Sequence, residues 1–171
     1  MSIESVRAAV LLARLAVPLE ALGYTAVRHK TESILIIERP AIAALARVAI
    51  SVLDSPAEEL HLVLLDAAYD LDPDDDMVDK VMAALPIITR YIPVGHLERD
   101  LDGTLHARWT LACDASQGLD TDVVVTSIVM FDLIQQHFGD YLEMVCDGDV
   151  PPEDLEELIQ AAGDDDHDDD D

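Results

Sequence analysis

Leu105-His106-Ala107-Arg108-Trp109-Thr110-Leu111-Ala112-Cys113 decides the fold, because its polarity changes with a period of two. Leu105, Ala107, Trp109, Leu111 and Cys113 share one face, while His106, Arg108 and Thr110 share the other. Such alternation, in a segment that suits a pleated surface, is the mark of a half-buried strand. Just upstream, Asp102-Gly103 is a tight-turn dipeptide, so His96 to Asp100 reads as the partner strand of a β-hairpin. Downstream, Asp120 or Thr121 caps a long helix whose seam of Val124, Ile128, Phe131, Phe138, Leu142 and Val145 advances in steps of three and four, broken at Gln135. From Pro93 to Cys146 the chain passes no catalytic motif, so the expected chemistry is recognition and not turnover.

Working outward, Asp72 to Asp76 supplies an acidic start for a helix from about Met77 to Tyr91, where negative side chains offset the helix dipole. Pro86 should bend that helix, and Pro93-Val94-Gly95 ends it. Between Tyr24 and Tyr69, strands are expected at Thr25 to Lys30, Ser33 to Glu38, Leu45 to Leu53 and Leu60 to Asp66, the last two joined by a turn at Asp54-Ser55-Pro56. Residues 40–53 also fit a helix through Ile42, Leu45, Ala49 and Val52, but the alternation of Val48, Ile50 and Val52 favours a strand. Ser2 to Leu22 reads as a helix capped by Ser2, with Pro18 in its last turn and Gly23 as its stop.

The order implies an α+β fold: helix, three-stranded antiparallel sheet, helix, β-hairpin, long helix. One α+β domain is expected over residues 1–148, a short C-terminal helix over 149–163 and a disordered acidic tail over 164–171, too polar to bury a core.

Charge narrows the partners. The chain has 171 residues and a formal net charge of -26, from 10 Lys+Arg against 36 Asp+Glu, so phosphate backbones and anionic bilayers repel it. No nucleic-acid or membrane partner is therefore expected. The charge is also uneven: Met1 to Ile50 carries six basic residues against four acids, whereas nothing after Arg108 is basic. Cys113 and Cys146 lack metal-ligand spacing and no signal peptide is recognisable, which points to a reduced, cytoplasmic setting.

Candidate sites thin out on inspection. Asp70 to Asp76 imitates a calcium loop, but Asp75 stands where the turn needs glycine and Val81 where a bidentate glutamate should close the shell. The histidines, at 29, 61, 96, 106, 137 and 167, form no zinc pair, and no glycine-rich loop opens a helix to cradle a phosphate. No catalytic residue, metal ligand or cofactor is expected. An Asp-cluster metal-dependent enzyme or ion sensor is the alternative, and an acidic decoy that attracts basic protein surfaces is another.

Gly23-Tyr24, the acidic helix start, Pro93-Val94-Gly95-His96-Leu97-Glu98-Arg99-Asp100 and Asp102-Gly103 together give the chain a family likeness. It resembles the bacterial YbjN-like proteins and, more distantly, the type III secretion chaperones whose fold they share. The resemblance runs from Ile3 to Gly148 in order and spacing. It implies a small acidic protein similar to chaperones that form homodimers and bind an extended segment of a client. The expected function is thus a non-enzymatic, chaperone-like protein- or peptide-binding module. Arg99, His106 and Arg108, on the polar side of the hairpin, are expected to orient the client's carboxylates, while Trp109, Val124, Ile128, Phe131 and Phe138 form the structural core.

Overall fold

The computed structural model describes residues 3–28, 34–38, 47–53, 60–71, 73–114 and 120–165. Its elements are helix α1 (Ile3–Ala21), strands β1 (Thr25–Arg28), β2 (Ile34–Glu38), β3 (Arg47–Leu53) and β4 (Leu60–Tyr69), helix α2 (Val78–Tyr91), strands β5 (His96–Arg99) and β6 (Leu105–Asp114), helix α3 (Thr121–Cys146), a 3-10 turn (Pro152–Asp154) and helix α4 (Leu155–Asp165).

The class is α+β, but the expected three-stranded sheet with a separate hairpin gives way to one antiparallel sheet of six strands in the order β1-β2-β3-β4-β6-β5. The reason is the length of β4 and β6. They pair over ten residues each, from Leu60 with Asp114 to Tyr69 with Leu105, and a lone hairpin could not have buried the apolar face of β6. Of the ambiguous segment, Arg47–Leu53 is a strand, β3, in register between β2 and β4, and residues 40–46 lie outside the described residues.

Strand periodicity then sorts the side chains into two layers. Leu35, Ile37, Val48, Ile50, Val63, Leu65, Leu105 and Ala107 point to one face and are buried. On that face α1 packs against β1, β2 and β3, α3 against β4, and α2 against β5, while α4 docks on α2. Leu12, Leu15 and Leu19 of α1, Val81 and Ile88 of α2, and Ile128, Phe131 and Leu142 of α3 fill the interface. Val124, Ile128, Phe131 and Phe138 are buried, and half-buried Trp109 lies 6.4 Å from the Phe131 ring, centroid to centroid.

Local chemistry sets the boundaries. Asp120 caps α3 by accepting hydrogen bonds from the N–H groups of Asp122 and Val123. By contrast, α2 begins without a side-chain cap at Met77, and its first turn carries only Asp79. Pro86 lies within α2 on its exposed side, away from buried Val81, Ala84 and Ile88. The break at Gln135 in the α3 seam has a cause: its side-chain oxygen accepts the hydroxyl hydrogen of buried Tyr69. Nearby, Tyr24 donates to Asp132 at 2.7 Å, so two buried tyrosines anchor the sheet to α3.

Helix α4 runs through Gly163 to Asp165, further than the expected short helix. The Ser2 cap, the Asp54-Ser55-Pro56 turn and tail residues 166–171 lie outside the described residues. No helix among the described residues is long and apolar enough to cross a membrane.

Candidate functional site

The face of the sheet that the described helices leave open carries two kinds of chemistry. On β1 to β4 it presents Val27, Ile34, Ile36, Ala49, Leu53, Leu62 and Leu64, all exposed or half-buried and none counted with the core. Val27 is 51% exposed and Leu53 39%, values high enough that no described element lies over this end of the sheet. On β4, β6 and β5 the same face becomes charged. Register explains the change, because Asp66 follows Leu60, Leu62 and Leu64 on β4 and sits directly across from Arg108, while Arg108 in turn faces His96.

Arg108 is the hub of this charged end. Its Nε donates to Asp66 Oδ2 at 2.9 Å, one terminal nitrogen donates to Asp100 Oδ2 at 3.0 Å, and the other contacts Glu98 and, at 3.3 Å, Asp100 Oδ1. His106 joins through Nδ1 at 2.7 Å from Asp66 Oδ1 and through Nε2 at 3.4 Å from Asp100 Oδ2. Partial burial works against the Arg108 charge, yet the hydrogen bonds to Asp66 and Asp100 and the charges of Asp66 and Glu98 outweigh it and raise the guanidinium pKa. Three carboxylates surround one guanidinium, and His96 Nε2 lies 3.4 Å from Glu98, so with the histidines neutral this end of the face is negative on balance.

Two glycines make that geometry possible. Gly95 has φ +82, and a Cβ there would stand 2.6 Å from the Arg108 carbonyl oxygen, so only glycine lets the chain enter β5 this close to β6. Gly103, at φ +95, completes the hairpin turn, where the Thr104 N–H donates to Asp102. That bond holds the Asp102 carboxyl below its ordinary pKa.

The three residues expected to meet a client lie on one hairpin but not on one face: Arg99 pairs with buried Leu105 on the helix side of the sheet, whereas His106 and Arg108 lie on the open side. Arg108 and His106 are engaged by carboxylates of the same chain, and exposed Arg99 folds back to donate from Nε to the Gly103 carbonyl at 3.0 Å. Asp66, Glu98 and Asp100 are the residues that sequence reasoning missed. Alternation along the hairpin places Glu98 and Asp100 beside Arg108, but the arrival of Asp66 depends on the β4–β6 pairing across 42 positions.

The strand edges differ as well. At β5 the Leu97 N–H, which would otherwise face outward, donates to Thr89 Oγ1 of α2 at 3.3 Å, so α2 blunts that edge. At the other end, β1 is the last strand among the described residues.

A second feature is an acidic cleft of about 690 Å³ where the β4–α2 loop meets the end of α3, lined by Asp70, Asp74, Asp76, Glu143 and Asp147 with Leu71, Met77 and Cys146. Among the described residues no group of three or more His, Cys, Asp or Glu side chains is arranged to hold a metal ion. Burial, reinforced by the charges of Asp147 and Glu143, pushes the Cys146 thiol up to about 11, and burial alone raises Cys113.

No family model matches the chain, and no curated protein matches it either. Among solved structures it is similar to the crystal structure of YbjN, a proposed transcription regulator from E. coli, at 15% identity and a TM-score of 0.49, over 78% of this chain and 90% of that one.

Proposed function

We propose that this chain is a non-enzymatic protein-binding module, chaperone-like in that it holds a segment of a client, and that the helix-free face of its sheet is the binding surface. The observation that carries this reading is the row of aliphatic side chains left on that face, with Val27, Leu53, Leu62 and Leu64 among them. Aliphatic side chains of this kind, with Ser51 set between Ile34 and Leu64 and bordered by charge, are what a partner covers. Among the described residues, the β1 edge is where an extended client segment could add as a strand, and Val27 joins that edge to the face. Both cysteines are free, which accords with a cytoplasmic setting.

The homodimer implied by the family resemblance has its own candidate surface on the opposite side, where Val17 and Leu133 stand 70% and 54% exposed on α1 and α3. Light scattering on Leu133→Glu beside the parent protein tests it, because a dimer seated there should dissociate.

Binding by the sheet face is tested with Leu64→Lys and Ile36→Lys. Each should abolish capture of a peptide retained by the parent protein while leaving the circular dichroism spectrum unchanged, and undiminished capture by both variants would refute the assignment. The rival readings have separate tests. A saturable rise in melting temperature with micromolar calcium, magnesium or zinc would favour the metal-dependent enzyme or ion sensor. Capture of many basic proteins that vanishes on removal of residues 164–171 would favour the acidic decoy.

A further inference from the structure

We infer that the segment held on the open face is an amphipathic helix with lysine or arginine at one end, its apolar side over Leu60, Leu62 and Leu64 and its cations over Asp66, Glu98 and Asp100. The inference rests on the binding surface proposed above and adds the chemistry of its occupant.

The backbone argues for a helix. A strand laid flat on a sheet face would bring its N–H and C=O groups against aliphatic side chains with nothing to pair them, whereas a helix satisfies its own. Helices already cover the other face of this sheet, so its strands are shown to accept helix-on-sheet packing. The dimensions agree. At about 3.3 Å per strand residue, Leu60 to Asp66 spans roughly 20 Å, the length of about thirteen helical residues. An apolar stripe of two to three turns followed by a basic turn therefore matches the change of chemistry along β4.

Charge argues for the cations and against other occupants. Asp66, Glu98 and Asp100 outnumber Arg108, with only the titratable His96 and His106 beside them, and their side chains remain 21%, 34% and 38% exposed. A second copy of this chain would bring another net charge of -26 to the same surface, and nucleic acid or an anionic bilayer would be repelled in the same way. A basic protein segment is what remains.

Three synthetic peptides that share one helical apolar face and end in lysines, glutamines or glutamates test the inference by fluorescence anisotropy. The lysine peptide should bind about tenfold more tightly than its glutamine twin at low salt, with the glutamate twin weakest. Glu98→Gln and Asp100→Asn should each cut that preference several-fold and leave the glutamine peptide unaffected. Arg108→Gln should act in the opposite direction and strengthen the lysine peptide, a sign reversal that a purely structural role does not produce. If Arg108→Gln fails to fold, the two carboxylate variants decide. Equal binding of all three peptides, or a lysine preference that survives Glu98→Gln with Asp100→Asn, overturns the inference. Preferential capture of a strand-forming peptide at β1, sensitive to Val27→Pro and not to Leu64→Lys, overturns the helix while keeping a protein-binding role. Failure of every peptide to bind counts against the binding surface itself.

Discussion

Replacing Trp109 and Thr110 one at a time should separate the two faces of β6 in a single comparison. Trp109 turns toward α3, half-buried with its ring tilted 37° to that of fully buried Phe131, whereas Thr110 is exposed on the open face. An indole presents about 200 Å², and losing roughly 130 Å² of buried apolar surface at about 25 cal/mol per Å² amounts to ~3 kcal/mol. The residual cavity beside Phe131 places Trp109→Ala at the lower end of the ~3 to 5 kcal/mol range for large aromatic truncations. Thr110→Ala removes no core contact and should change stability by less than about 0.5 kcal/mol. Urea unfolding followed by far-ultraviolet circular dichroism reads both, since Trp109 is the sole tryptophan and fluorescence is lost with it. With a slope of about 2 kcal/mol per molar urea, Trp109→Ala should lower the midpoint by roughly 1.5 M. Equal losses for the two variants would contradict the assigned sidedness of β6, and a larger loss for Thr110→Ala would mean that the strand is one residue out of register, with its faces exchanged.

Three further outcomes follow from local geometry. Gly95→Ala should cost ~1 to 3 kcal/mol by urea unfolding, because its Cβ meets the Arg108 carbonyl oxygen at 2.6 Å in a backbone conformation that side chains resist. Tyr69→Phe should cost about 1 to 3 kcal/mol, since Gln135 already has a buried Nε2 without a partner among the described residues and would lose the donor to its oxygen as well. Cys146, with its thiol pushed up to about 11, should react with a disulfide reagent at pH 8 on the order of 100-fold more slowly than a free thiol, and its rate should climb with pH until about 11; a rate that levels off near pH 8.5 would contradict this.

What the sequence discloses here is local, and what it conceals is pairing between distant segments. The β6 alternation, the Asp102-Gly103 turn, the Asp120 cap and the Gly23 stop are each written within a few residues, where backbone preference and side-chain polarity act together. The merger of the hairpin with the preceding strands is not, because no local signal names β4 as the neighbour of β6. The same blindness hides the charged site. His106 and Arg108 are assigned to the outer face from sequence, but that they meet carboxylates of their own chain depends on Asp66 arriving across the sheet. Gln135 is a middle case: the polar interruption of an apolar seam is visible in sequence, and only Tyr69, 66 residues away, explains it.

Site-specific photo-crosslinking in a cell lysate tests the open face most directly. A photoreactive amino acid would replace Leu64, at the centre of the helix-free face, and in a second protein Leu133, 54% exposed on the opposite side. A discrete adduct formed through position 64, lost when Glu98→Gln and Asp100→Asn are added and identified by mass spectrometry as a basic amphipathic segment, is the expected result. Adducts through position 133 with none through position 64 would place the binding surface on the helices and contradict the assignment.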